Sequence, residues 1–172
     1  MKKEIRIATD EELRKANIIV GVSYGLLKNN QPGESNETLA RITRNLYERY
    51  QLPLALQWEI AKCLPDLLKA KVVYKHRTEG EYLDTFEVLD QIMEFCIKTF
   101  KKPTVVAIIV AHPVHLPRVI LVAEKLGFIP LVPPIANVPY DKQSIQRHTR
   151  NRFLGTAYEK LATIKYSHDG KI

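Results

Sequence analysis

The sequence predicts a three-layer α/β domain, a mainly parallel five-stranded sheet with helices on both faces. Three observations carry this prediction. Five short apolar runs recur along the chain, segments with helical periodicity or capping signals separate them, and 172 residues suffice for one sizeable core but hardly for two. Strands that alternate with helices pair in parallel through right-handed crossovers. Residues 1–172 therefore read as a single domain.

The first strand is the apolar run at residues 16–21, closed by Gly21. A polar loop with Pro32 and Gly33 follows, and Ser35 or Asn36 then caps a helix carrying Leu39, Ile42 and Leu46 on one face. Residues 53–58 give a second strand, residues 61–70 a helix that Pro65 shortens or bends, and residues 71–76 a third strand. Leu89, Ile92, Met93, Cys96 and Ile97 form the clearest amphipathic pattern, in a helix that runs to Phe100. Residues 104–111 are the most apolar strand, as a central strand buried on both faces must be. A helix at 115–126 carries Lys125 in its last turn and stops at Gly127. Residues 128–132 make the fifth strand. Pro133, Pro134 and Pro139 mark a rigid loop, and residues 144–166 a final basic helix.

Composition narrows the class. Apolar residues at 45% and charged residues at 26% exclude disordered and collagen-like chains. The longest apolar run, residues 105–111, is far short of the roughly 20 residues that span a bilayer, so no membrane span is expected. Lys2 and Lys3 precede acidic residues rather than an apolar stretch, which argues against a signal peptide. Cys63 and Cys96 are too few for a disulfide framework and fit a reduced, cytoplasmic chain. The net charge of +7 lies wholly in residues 101–172, which hold 11 Lys and Arg against 4 Asp and Glu. Such asymmetry suits an anionic partner, namely a phosphorylated metabolite, nucleic acid or an anionic lipid surface; solubility alone accounts for it equally well.

In a parallel α/β sheet, ligands bind beyond the carboxyl ends of the strands where the winding reverses. This directs attention to the loops after strands one, three and four. The first holds Gly21, Ser23 and Gly25, which offer close backbone approach and a hydroxyl, without the spacing of a dinucleotide fingerprint. The second holds Asp84, Thr85 and Glu87; residues 78–81 and 84–87 each have capping-box form, and only one can cap. Asp84 and Glu87 share a helical face, where they could perform acid–base work, bind a cation or hold a ribose hydroxyl. The third holds His112, His115 and Arg118 around Pro117. Arginine is normally unfavourable at the positive end of a helix, so an anion between Arg118 and the free amides would explain it, with His115 as a second donor or general acid. Alternatively, His115 caps the helix and Arg118 bridges to Asp84 or Glu87. Two histidines with no third ligand make a poor zinc site, and no metal is expected.

Residues 143–152 are rich in arginine, with Arg147 and Arg150 on one helical face. No aromatic residues are interleaved for base stacking and no DNA-binding motif fits, which ranks nucleic acid below a small anion.

Laid out this way, the chain resembles the YdcF/SanA/ElyC family, Rossmann-like α/β domains of unknown function, over about residues 17–135. Gly21, Ser23 and Gly25 stand at its glycine-rich end of strand one, without the run of three glycines. Asn36, Thr38 and Arg41 match its next helix start. Thr85 and Glu87 keep part of an Asn-Thr-x-Glu-Asn signature, with both asparagines replaced. His115, Pro117 and Arg118 keep a His-x-Pro-Arg signature, in which His112 stands at the position of a serine. The resemblance implies a nucleotide-like ligand such as S-adenosylmethionine; it establishes no reaction.

The expectation is thus a protein that binds a phosphorylated or nucleotide-like small molecule, possessing in His115, Asp84 and Glu87 the groups for phosphoryl or glycosyl-phosphate chemistry. Arg118 would hold the anion; Gly21, Ser23, Gly25, Asn36, Thr38, Arg41, Thr85 and His112 would complete the site. The alternatives are a non-catalytic ligand-binding module and nucleic-acid binding through the basic C-terminal half.

Overall fold

Local sequence signals set the elements of the computed structural model, which describes residues 5–66 and 69–172. Thr9 opens the short helix α1 (Asp10–Leu13) with a capping box, its hydroxyl accepting from the Glu12 amide while the Glu12 carboxylate accepts from the Thr9 amide. Strand β1 (Ile18–Gly21) leads through a 3-10 turn at Lys28–Asn30 into α2 (Glu34–Tyr50). Strand β2 (Leu54–Gln57) runs directly into α3 (Trp58–Lys62), and β3 (Lys71–Val73) is followed by α4 (Thr85–Phe100). Then come β4 (Val105–Val110), α5 (Leu116–Lys125), β5 (Phe128–Leu131), a 3-10 turn at Arg147–Thr149 and α6 (Arg152–His168).

The five strands form one parallel sheet in the order β3-β2-β1-β4-β5. Ile19 is in register with Leu54 on one side and Ile108 on the other. Successive side chains point to opposite faces of a strand, and here both faces are apolar. Ile18, Val20, Ala107 and Ile109 pack with Val88, Ile92 and Val119 of α4 and α5. Ile19, Leu54, Ile108 and Val110 pack with Leu39 of α2 and Ile60 of α3. Two helical layers therefore enclose the sheet, and the winding reverses between β1 and β4. This is a three-layer Rossmann-like α/β fold. No helix among the described residues is long and apolar enough to cross a membrane.

Several elements differ from their sequence expectation. Helix α2 starts at Glu34 behind Gly33 without a side-chain cap of its own; Ser35 and Asn36 lie buried in its first turn instead of capping it. The expected helix at 61–70 is α3, displaced toward the N-terminus, and it ends at Lys62, with Cys63 as its C-cap, ahead of Pro65 because a residue before proline disfavours helical backbone. Residues 67 and 68 of that expectation lie outside the described residues. Strand β3 stops at Val73 rather than 76, and beyond it the His76 Nδ1 accepts from the Thr78 amide, turning the chain. The last helix begins at Arg152, where the Asn151 side chain accepts from the Leu154 amide. The preceding residues are tied elsewhere: the Ser144 hydroxyl donates to the Leu26 carbonyl, and the Ile145 amide donates to that same carbonyl. Gly127 does end α5, at φ +98°, a backbone region costly for other residues.

A cleft at the carboxyl ends of the strands

An open cleft lies beyond the carboxyl ends of β1, β2 and β3. Ser23, Tyr24 and Gly25 enter it after β1, Gln57 and Glu59 after β2, and Tyr82, Asp84 and Thr85 before α4. The C-terminal segment folds back to close the far wall with His148, Tyr158, Glu159 and Tyr166. The loop after β2, which the winding argument did not single out, thus contributes, while the loop after β4 reaches the cleft only through Arg118.

Glu59 is the most unusual group in this lining. It stands in the first turn of α3, where the main chain swings from β2 straight into helix, and its side chain is buried. Its Oε1 receives a long contact of 3.5 Å from Gln57 Nε2, and its Oε2 has no hydrogen-bond partner among the described residues. Burial pushes its carboxyl up to about 7, polar neighbours offsetting only part of the effect. Gln57 in turn accepts from the Ser23 amide at 3.1 Å, joining the β1 and β2 ends.

Arg118 does not face an open anion site. Its Nε donates to Glu159 Oε2 at 2.7 Å, its Nη2 to Glu159 Oε1 at 3.1 Å and its Nη1 to the Thr85 hydroxyl at 2.9 Å. The guanidinium also lies 4.8 Å from the centre of the Tyr166 ring. His115 Nδ1 is 2.9 Å from Glu159 Oε1, which calls for a proton on Nδ1 and leaves Nε2, 3.4 Å away, to accept from Thr85. Burial holds His115 below its ordinary range in spite of the Glu159 carboxylate. Burial opposes charge on Glu159 too, but His115 and Arg118 outweigh it and hold the carboxyl at about 2. The amides at the start of α5 are also spent: those of His115 and Leu116 donate to the His112 carbonyl, and that of Val114 to His112 Nδ1. The partner that the sequence assigns to an anion, or alternatively to Asp84 or Glu87, is Glu159.

The equivalent position at the start of α2 is also filled from within. Asp141 is buried there, its Oδ1 accepting from the Ser35 amide at 3.1 Å. A Cβ on Gly33 would lie 2.4 Å from this carboxylate, so only glycine fits. Asn36 accepts from the Tyr24 amide and donates to the Gly25 carbonyl, which fixes the β1 loop rather than facing a ligand. His112 is buried against the Tyr24 ring, centroids 4.2 Å apart, and burial lowers it to about 4.

The other expected residues divide. Ser23, Gly25, Asp84 and Thr85 line the cleft. Asp84 caps α4 through the Glu87 amide at 2.9 Å and pairs with Lys171 Nζ at 2.6 Å. Glu87 completes no capping box and points away from Asp84: it binds Arg77 Nε at 2.9 Å, in a cluster where Arg77 also meets Asp90 and Glu94. That pairing, against burial, holds Glu87 at about 2. Gly21 is a packing glycine, a Cβ there falling 2.8 Å from Leu56. Thr38 and Arg41 bond to each other on the outer side of α2. Arg147 and Arg150 belong to a 3-10 turn and its cap, not to one helical face, and Arg150 Nε donates to the Ser144 carbonyl. Among the described residues no group of three His, Cys, Asp or Glu converges as a metal site.

Glu59, Asp141 and Glu159 are the acidic residues that the sequence reading passed over. Glu159 had a legible signal: Gly155, Glu159, Ala162 and Tyr166 repeat at helical spacing and are all buried. Glu59 offered only its place between Trp58 and Ile60, and Asp141 offered none. No protein-family model, no curated protein and no solved structure matches this chain.

Proposed function

We propose that the chain is a small-molecule-binding protein whose cleft takes a nucleoside-like ligand without a phosphate, and that Glu59 meets the ligand's hydroxyl or cationic group. The observation that carries this reading is the Glu59 carboxylate, which lines the cleft, is buried and has an oxygen with no partner among the described residues. A buried acceptor of that kind costs stability unless a donor reaches it; the Ser23 hydroxyl lies close enough to help hold the carboxylate, and a ligand in the cleft would supply a further donor. With its carboxyl near 7, Glu59 is also suited to accept or return a proton at neutral pH.

The charge balance argues against a phosphate. Arg118 is neutralised by Glu159, Lys171 by Asp84, and the start of α2 by Asp141. Tyr82, Tyr158 and His148 supply aromatic surface for a base or a cation. Among the ligands implied by resemblance to the YdcF/SanA/ElyC family, S-adenosylmethionine combines ribose hydroxyls and positive charge with no phosphate. The fold and the His115-Pro117-Arg118 match at the end of β4 support the chain as a divergent member of that family.

A thermal-shift screen tests the proposal. S-adenosylmethionine or adenosine at about 100 times its dissociation constant should add roughly 2.7 kcal/mol of stability, with AMP and ATP giving less. A screen in which only the phosphorylated compounds stabilise the protein would refute it.

A further inference from the structure

The outer side of α6 is unlike the rest of the surface. Gly155, Glu159, Ala162 and Tyr166 form its buried stripe. On the opposite side, at three- and four-residue spacing, stand Phe153, Ala157, Leu161 and Ile164, all exposed to solvent. Phe153 is 81% exposed, Leu161 68% and Ile164 67%, so large apolar side chains stand in water along most of a 17-residue helix. Isolated exposed leucines are ordinary, but a continuous apolar stripe on one helix marks a contact surface.

Charge selects the partner. Lys160 and Lys165 flank the stripe on its two sides, and Arg152 stands at the helix start. The one acidic residue within α6, Glu159, is turned inward and neutralised by Arg118. The exposed charge of this helix is therefore entirely positive, in the half of the chain that holds the whole +7. An apolar stripe bordered by lysines, whose long stems lie along apolar surface while their ammonium groups stay wet, matches the boundary between lipid headgroups and acyl chains. A second copy of the same face would bring lysine against lysine.

We propose that α6 docks on an anionic membrane surface, lying in its plane with Phe153, Leu161 and Ile164 toward the lipid. The inner side of the same helix supplies Tyr158, Glu159 and Tyr166 to the cleft, so docking would set the cleft beside the membrane. The proposal stands whatever the cleft takes.

Co-sedimentation of the full chain with vesicles tests it. Vesicles of phosphatidylcholine with about one-third phosphatidylserine should bind at least about tenfold more tightly than phosphatidylcholine alone, and salt should weaken the binding. Leu161→Gln with Ile164→Gln should lower binding to the anionic vesicles by about tenfold or more without changing the melting temperature, because both positions are exposed. Lys160→Glu with Lys165→Glu should lower it similarly. A Phe153→Trp variant should show blue-shifted emission on the same vesicles. Equal binding to both vesicle types, no binding at low salt, or undiminished binding by the glutamine variant would overturn the proposal. A concentration-dependent dimer that the glutamine substitutions abolish, with no vesicle binding, would instead assign the face to a second copy.

Discussion

Glu159 of α6 and Arg118 of α5 form a bidentate pair, Nε to Oε2 at 2.7 Å and Nη2 to Oε1 at 3.1 Å, with both side chains buried. The pair ties the C-terminal helix to the first turn of α5, beside the point where the winding reverses. It also gives the arginine an internal counterion where the sequence suggests an external one. Thr85 and His115 complete the cluster, so its polar groups satisfy one another.

Breaking that pair from one side should be far more damaging than replacing it whole. Glu159→Ala leaves a buried guanidinium without its carboxylate and should destabilise the protein by about 3–5 kcal/mol. Arg118→Met combined with Glu159→Leu should cost much less, because no charge is left stranded. Urea denaturation of the two variants checks this, and equal losses would contradict it.

Glu59 should make the protein less stable as pH rises. Its folded carboxyl, at about 7, lies above the ordinary 4.5, so between these values the folded state holds a proton that the unfolded state has lost. The contribution is intact below about 4.5 and is lost as pH climbs through 7. Glu59→Gln should remove this slope and, at pH 8, raise stability by roughly 1–3 kcal/mol. Chemical denaturation of both proteins between pH 5 and 8 reads the difference.

The acid side should be governed by His112 and Glu159. Burial lowers His112 to about 4, so the unfolded state takes up a proton first as pH falls below the ordinary value of 6.5, a loss that opposes the Glu59 gain between pH 6.5 and 4.5. Glu159, held at about 2 against an ordinary 4.5, adds a second decline as pH falls from 4.5. His112→Asn should remove its share of the first decline, which His115 and His148 also feed, and leave the second, as melting temperatures across pH 3–7 would show against wild type.

Asp141 and Gly33 should be coupled. Asp141→Ala removes the acceptor for the Ser35 amide and should cost about 1 kcal/mol. Gly33→Ala should cost more, since the new methyl would lie 2.4 Å from the Asp141 carboxylate while the backbone there, at φ −96°, suits alanine. In the Asp141→Ala background the Gly33→Ala penalty should largely vanish. Additive losses in the double-mutant cycle would contradict the contact.

The sheet was legible because its signals are local and unmixed. Residues 105–110 are apolar throughout and form the central β4, and Gly127 stops α5 by backbone geometry that only glycine adopts cheaply. The start of α2 was misread because its cap comes from Asp141, more than a hundred residues away, and no local pattern encodes that. The site divided in the same way. Asp84, Thr85 and Ser23 are in the cleft because strand ends place them there, whereas the partner of Arg118 arrives on a helix 41 residues further along. Residue types near a strand end announce a site; the pairing that decides its charge belongs to the tertiary fold.

Calorimetric titration of S-adenosylmethionine into wild-type and Glu59→Gln protein at pH 7 and 8, with AMP as the comparison ligand, tests whether Glu59 meets the ligand. Wild type should bind S-adenosylmethionine more tightly than AMP and gain affinity from pH 7 to 8 as Glu59 ionises, and Glu59→Gln should lose about tenfold or more, the value of a charge-assisted hydrogen bond. Unchanged affinity in Glu59→Gln, or tighter binding of AMP than of S-adenosylmethionine, would show that Glu59 does not meet a phosphate-free ligand.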